Sequence, residues 1–145
     1  MTKRNRKVVT TALVALIPLF FGSKYFKSIS ASSDHQASSS IQALYQNRQS
    51  GAMVEFEGHI VKLLSDDNEG SRHQRFIVKI NNQHTVLIAH NIDVAPRVPL
   101  KVNQPITIYG QYEWNERGGV VHWTHADTYG TREGGWINFQ GKKYQ

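Results

Sequence analysis

The sequence of 145 residues contains no cysteine. Without thiols the chain can form neither a disulfide framework nor a cysteine-ligated zinc site. The body also lacks surplus positive charge. Six of the 17 basic residues precede residue 29, where no acidic residue occurs, and the other 11 basic residues are balanced by 11 acidic ones. Strong binding to DNA or RNA needs a clustered excess of Lys and Arg, so nucleic acid is a less favoured partner.

Sequence patterns that identify a reaction are also missing. There is no nucleophile elbow, and GGVV at 118–121 is not followed by a helix that carries a lysine, as a phosphate loop requires. SDDNEG at 65–70 is too short for an EF-hand loop and is typical of a solvated turn. We therefore predict no catalytic residues.

The first 27 residues predict a signal peptide or signal anchor. KRNRK precedes VVTTALVALIPLFFG, an uncharged and mostly apolar run at 8–22, and this order is typical of export signals rather than of a buried core helix. A helix of that length spans about 22 Å of a hydrocarbon core of about 30 Å. Extension through Phe26, with Lys24 reaching the interface, nearly spans it, so residues 8–26 are predicted to lie in the inner membrane.

The charges around this run predict its orientation. Four basic residues precede it and two follow it, which places the body on the periplasmic side of the inner membrane in a Gram-negative cell. Cleavage after Ser30 stays open, because small residues occupy the required positions but lie late in the chain. Residues 28–40, SISASSDHQASSS, predict a flexible Ser-rich tether.

Residues 41–145 predict one mainly β domain. Ile41, Leu44 and Tyr45 have helical spacing, and Gly51 follows them as a stop signal, which indicates a short amphipathic helix against a barrel. Gly58 lies inside a long first strand and predicts a bulge or sharp bend. Alternation of apolar and polar residues and turn signals predict five strands, at 53–64, 75–80, 84–92, 105–114 and 120–125.

The order of these strands favours a small five-stranded OB-fold-like barrel. A long bent strand, a meander of three, an irregular crossover at 93–104 and a final hairpin are typical of that fold. An SH3-like barrel or another open β-barrel is the main alternative.

The stretch GVVHWTHADTYGTREGGWI, residues 118–136, is rich in histidine and tryptophan. Pairing of Trp114 with Val120 would make Tyr109 face His125 on the neighbouring strand. Tryptophans on an OB-fold face can stack on oligonucleotides or oligosaccharides, or they can fill the core, and Trp136 is expected to fold back as a cap over the barrel. The predicted ligand-binding residues are Tyr109, Trp123, His125 and Arg75.

The same histidines carry a metal hypothesis. His122 and His125 would point to opposite faces of a regular strand, which weakens a shared metal site unless a bulge intervenes or the strand ends near Thr124. The alternative is a metal-dependent hydrolase, of phosphodiesterase or nuclease type, with one divalent metal such as zinc that activates water. Its ligands would come from His122, His125, Asp127, His73 and His90. Structural histidines, hydrogen-bonded or half-exposed, are the simpler interpretation.

Several blocks between residues 50 and 145 resemble one bacterial family. They are LLSDDNEGSRHQRFIVKI, LIAHNIDVAPRVPL, YGQYEWNERGGVVHWTH, GGWI and the closing KKYQ. They are similar, in this order, to the family called domain of unknown function 3465. The resemblance implies a small exported bacterial protein and implies no activity.

Taken together, these patterns favour an exported, membrane-tethered binding module without enzymatic activity or cofactor. Its expected partner is an envelope ligand: a glycan, a peptide or a small anion. The hydrolase is the alternative, and a purely structural or protective envelope protein is a third. Analogy of fold alone selects none of the three.

Overall fold

A computed structural model describes residues 40–145. The predicted signal or anchor segment, 1–27, and the tether, apart from Ser40, lie outside these residues. Within the described part of the chain no helix is long and apolar enough to cross a membrane.

The predicted short helix is confirmed as α1, residues 40–46. Ile41 is fully buried, and Leu44 and Tyr45 pack against the core, so the apolar side of α1 lies on the barrel. The helix ends before Gly51 because Arg48 adopts a left-handed conformation, φ 53°, and the amide of Gln49 turns back to the carbonyl oxygen of Leu44 at 2.9 Å.

Seven strands follow: β1 Ala52–Leu63, β2 His73–Asn81, β3 His84–Asn91, β4 Pro105–Glu113, β5 Val120–His122, β6 Trp136–Phe139 and β7 Lys142–Tyr144. The first five close a barrel in the order β1-β2-β3-β5-β4 and back to β1. Every neighbouring pair in this barrel is antiparallel except β3 and β5, which are parallel. The five-stranded barrel is therefore confirmed.

The first strand closes the barrel because it pairs on both sides. Residues 52–59 pair with β4, and residues 59–63 pair with β2. Gly58 lies at the change of partner, where a β-carbon would stand 2.5 Å from Val78 Cγ1. An irregularity does occur in β1, but its register shift falls between Ile60 and Lys62, two residues after Gly58.

Alternation of side chains along the strands fills the barrel. The largest fully buried side chains are Tyr112, Phe56, Phe76, Phe139, Ile41, Ile60, Ile88, Ile108 and Ile137. Each such apolar side chain contributes about 1.5–3 kcal/mol through burial.

The end of the chain differs from prediction. Trp136 does not cap the barrel, because it begins β6, which pairs with β4 outside the five-stranded ring. Ile137 and Phe139 of this strand enter the core instead, and β7 adds Tyr144. The hairpin between β6 and β7 turns at Gln140 and Gly141, which both have left-handed backbone conformations. This two-residue turn was not predicted from the sequence.

The predicted pairing of β4 with β5 is wrong by one residue. Glu113, not Trp114, lies opposite Val120. The reason is local. Asn115 Oδ1 accepts hydrogen bonds from the amides of Arg117 and Gly119, at 2.9 and 3.0 Å. These bonds stabilise a turn between β4 and β5 that begins one residue earlier than predicted, at Trp114. Trp114 instead packs against the core, as one of its two interpretations predicted.

Candidate functional site

Strands β5 and β6 lie one after the other along the same edge of β4. The chain between them, residues 123–135, leaves the sheet and returns; we call it the 123–135 loop. Its base is closed by the amide of Gly135, which donates to the carbonyl oxygen of His125 at 2.8 Å. A β-carbon at Gly135 would stand 2.0 Å from Trp123 O and 2.5 Å from Tyr109 O, so only glycine fits there.

The loop begins earlier than the sequence indicated. Strand β5 ends at His122 and not at His125, because Trp123 adopts a left-handed φ of 54°. The alternation argument that separated His122 from His125 therefore does not apply. A left-handed conformation is uncommon for a bulky residue, and here the contacts around the indole hold it.

Asp127 organises the interior of the loop. Its Oδ1 accepts a hydrogen bond from the amide of Tyr129 at 3.1 Å. Its Oδ2 accepts from the Thr131 hydroxyl at 3.0 Å and from the amides of Thr131 and Arg132, at 2.5 and 2.8 Å. These bonds, the Arg132 amide foremost, lower the pKa of the Asp127 carboxyl. Both carboxylate oxygens are thus engaged in holding the loop.

Two groups of the loop contact the Trp123 indole: the Glu133 backbone and the Arg132 side chain. The Trp123 Nε1–H donates to the carbonyl oxygen of Glu133 at 3.0 Å, and the Arg132 guanidinium lies 4.1 Å from the ring centroid. Arg132 Nη2 also donates to Oε1 of Gln111, on β4, at 2.7 Å. The indole is therefore fixed to the loop and, through Arg132, to the sheet.

A second aromatic group adjoins the first. Tyr109 pairs with Trp136 across β4 and β6, with ring centroids 6.0 Å apart, and Lys143 Nζ lies 4.5 Å above the Trp136 ring. The Glu133 side chain beside the Tyr109 phenol raises the pKa of Tyr109. Glu133 thus contacts Trp123 through its backbone carbonyl oxygen and adjoins Tyr109 through its side chain. We call this set the Tyr109–Trp136 surface: Tyr109, Gln111, Trp123, Arg132, Glu133, Trp136 and Lys143.

Three of the four predicted ligand-binding residues meet here. His125 is 7% exposed, its ring lies 4.6 Å from that of Trp123, and its Nδ1–H donates to the carbonyl oxygen of Ala126 at 2.8 Å. His125 therefore packs against Trp123 and has little surface that a ligand could contact. Arg75 belongs elsewhere: on β2 its Nε–H donates to the carbonyl oxygen of Ser65 at 3.0 Å.

The residues of the metal hypothesis contact different partners and do not converge on one point. His90 is fully buried, with Nδ1 2.8 Å from Thr124 Oγ1 and Nε2 3.1 Å from the carbonyl oxygen of Pro96. His122 Nε2 lies 3.6 Å from Glu113 Oε1, too far for a hydrogen bond. The backbone of His73 forms a bridge with that of Asp67. Across residues 40–145 no three His, Asp or Glu side chains form a group that could hold a metal ion.

The sequence reading did not single out Gln111, Arg132, Glu133 or Lys143. The Arg-Glu pair at 132–133 lies in the stretch that drew attention, and aromatic residues flank it. No spacing rule, however, places a loop arginine over a tryptophan nine residues earlier. That contact depends on the closure of the loop at Gly135.

Comparisons with other proteins complete this description. A search of curated proteins found no match. A family model described as "Protein of unknown function (DUF3465)" matches residues 24–145. That match covers the barrel, α1, the 123–135 loop and both terminal strands. The chain therefore belongs to the DUF3465 family, as its sequence blocks predicted.

Proposed function

We propose that this protein is an OB-fold-like, non-enzymatic binding module, and that the Tyr109–Trp136 surface binds a glycan. The closed order β1-β2-β3-β5-β4, with β3 and β5 parallel, supports the OB-fold assignment. Folds of this class commonly bind oligosaccharides or oligonucleotides.

The observation that carries the proposal is a pair of half-buried tryptophans on one surface: Trp136 is in ring contact with Tyr109, and Trp123 is hydrogen-bonded to Glu133. Trp123 and Trp136 each have a cation over the ring, and Trp123 also donates its Nε1–H to the carbonyl oxygen of Glu133. A sugar ring presents apolar C–H groups to an aromatic ring and hydroxyls to its surroundings, so indoles beside Gln111, Arg132 and Glu133 suit it.

The charge of the surface separates glycans from nucleic acid. Arg132 and Lys143 are its cations, and Glu133 is its anion. A polyanion tracked by phosphate contacts needs a larger excess of positive charge. An uncharged or weakly anionic glycan does not.

The hydrolase alternative has less support. Asp127 has both carboxylate oxygens engaged, and each ring nitrogen of His90 lies within hydrogen-bonding distance of a protein oxygen. Metal binding by either residue would break bonds that hold the loop or the core.

We further propose that the module acts on the periplasmic side of the inner membrane, where residues 1–27 would direct or anchor it. The natural ligand would then be an envelope glycan. Fractionation of cells that produce the full chain tests this location: the protein in the cytoplasmic fraction would contradict it.

The binding test uses the full chain, solubilised in detergent, and purified peptidoglycan sacculi in a cosedimentation assay. We expect the protein to sediment with the sacculi, and Trp123→Ala and Trp136→Ala each to weaken binding by roughly tenfold, by analogy with aromatic stacking on bases, worth about 1–3 kcal/mol. Tyr129→Ala is the matched control, because Tyr129 lies in the same loop but is 87% exposed.

Three results would count against the proposal. Sedimentation that is equal for all variants would remove the tryptophans from the site. Binding that disappears when an amidase strips the peptides from the sacculi would identify a peptide ligand. Competition by a 20-mer of deoxythymidine at physiological salt would favour nucleic acid.

A further inference from the structure

A second groove lies apart from the Tyr109–Trp136 surface and includes none of its residues. It has a volume of about 370 Å³, within the range of small-ligand sites, and lies between the end of β1, the start of β2 and the crossover that precedes β4. Five apolar residues form its floor: Leu63, Leu64, Val98, Pro99 and Leu100. Leu63 is 44% exposed, although it is a large apolar side chain at the end of a strand.

The groove has an unpaired positive charge at its rim. Arg97 Nη2 forms an ion pair with Asp66, so those two charges compensate each other. The Arg75 guanidinium donates its Nε–H to the carbonyl oxygen of Ser65, which is the one hydrogen bond of this side chain within residues 40–145. Its two terminal nitrogens remain available, and a guanidinium binds a carboxylate through two parallel hydrogen bonds. The rim is therefore complementary to a single anion.

The other polar side chains of the lining, Asp66, Arg97 and Gln74, are engaged within the protein. The amide of Gln74 is 7% exposed, donating to the carbonyl oxygen of Val98 at 2.8 Å and accepting from the Val98 amide at 3.0 Å. A peptide in this groove would find few partners for its backbone N–H and C=O groups, which are costly to bury without them. An alkyl chain needs no such partners.

We propose that this groove binds a fatty acid, with the carboxylate on the terminal nitrogens of Arg75 and the alkyl chain along Pro99 and the three leucines. Burial of the chain contributes in proportion to its apolar area, and the arginine selects the charged head group. The site explains why Leu63 is exposed beside a free guanidinium. It is independent of glycan binding, and either proposal can fail without the other.

The test measures binding of radiolabelled decanoate to the full chain by equilibrium dialysis, below the micellar concentration of the ligand. We expect saturable binding of one decanoate per chain, and Arg75→Gln to weaken it by about tenfold or more, because the charge-assisted bidentate contact is lost. Lys79→Gln, an exposed cation on the same strand, should leave it unchanged. Decanol, which has no carboxylate, should bind weakly, and equally to the wild type and to Arg75→Gln.

A second pair of variants tests the floor without removing the arginine. Leu63→Glu places a charge under the alkyl chain and should abolish binding, whereas Val94→Glu, at a site equally exposed at 45%, should not. Binding that is insensitive to Arg75→Gln or to Leu63→Glu would overturn the proposal, as would no saturable binding. Displacement of decanoate by an acetylated hexapeptide ending in leucine, at lower concentration than unlabelled decanoate, would replace it with a peptide site.

Discussion

His90 and Thr124 join β3 to the 123–135 loop inside the protein: the two residues are fully buried, and Nδ1 of the imidazole lies 2.8 Å from the threonine hydroxyl oxygen. On the other side of the ring Nε2 lies 3.1 Å from the carbonyl oxygen of Pro96, which can only accept. Nε2 therefore carries the proton, and Nδ1 accepts from Thr124. A neutral histidine thus holds two connecting segments to one strand.

This arrangement predicts a loss of stability in mild acid. Burial, above all, lowers the pKa of His90 below its ordinary value of 6.5, and the nearby His125 and His73 lower it further. The unfolded chain then takes up the proton at a higher pH than the folded protein. The contribution of neutral His90 to the free energy of unfolding is complete above pH 6.5. It is lost as the pH falls from there toward the pKa of His90 in the folded protein. Urea denaturation of the full chain between pH 8 and pH 5 measures it.

Two variants identify the source of this pH dependence. Thr124→Val should cost about 1–3 kcal/mol at neutral pH, because it leaves Nδ1 buried without a partner. His90→Gln should flatten the profile between pH 6.5 and 5, whereas His59→Gln, at an exposed position on β1, should not. A profile that keeps its slope in His90→Gln would contradict the assignment.

The base of the 123–135 loop should be intolerant of any side chain. Gly135→Ala places a methyl group against two carbonyl oxygens, and overpacking of this kind costs about 1–3 kcal/mol or more. Gly130 lies in the same loop with nothing within 4 Å, so Gly130→Ala meets only the left-handed backbone cost of about 1–2 kcal/mol. Only Gly135→Ala should also change the fluorescence of Trp123. Equal effects of the two substitutions on that fluorescence would show that the loop base is not tightly closed.

The Tyr109 phenol should report on the aromatic surface. Its pKa is raised above 10 chiefly by the neighbouring Glu133 side chain. Glu133→Gln should lower that pKa toward 10, because the neighbouring negative charge disappears. Ultraviolet titration of wild type and variant, with Tyr109→Phe to assign the step, measures the change. Glu57→Gln is the control, and an equal shift there would indicate a general charge effect.

Much of the barrel could be predicted from local patterns. Phe76 and Val78 on β2, and Ile106 and Ile108 on β4, are each two residues apart on a predicted strand, and all four are buried. Gly58 lies two residues before the register shift in β1. These signals are local because the period of a strand and the freedom of a glycine are properties of the chain itself.

The site was only partly predictable. Trp123 and Tyr109 belong to one surface, but the reasoning that joined them used a pairing that was off by one residue. The bonds from Asn115 and the left-handed Trp123 decided the true pairing and the end of β5. Arg75 was assigned to the same face, yet its strand carries it to a different groove.

The sequence by itself determined the class of fold, the short helix and the interior of the barrel, because hydrophobic periodicity and glycine act over a few residues. It also carried the family, through blocks spread along residues 50–145. Only the tertiary structure decided which side chains meet. Glu133 reaches Tyr109, and Arg132 reaches Trp123 and Gln111, because Gly135 lets the backbone of the loop close against β4. Contacts of that kind depend on the three-dimensional path of the chain, which no local period encodes.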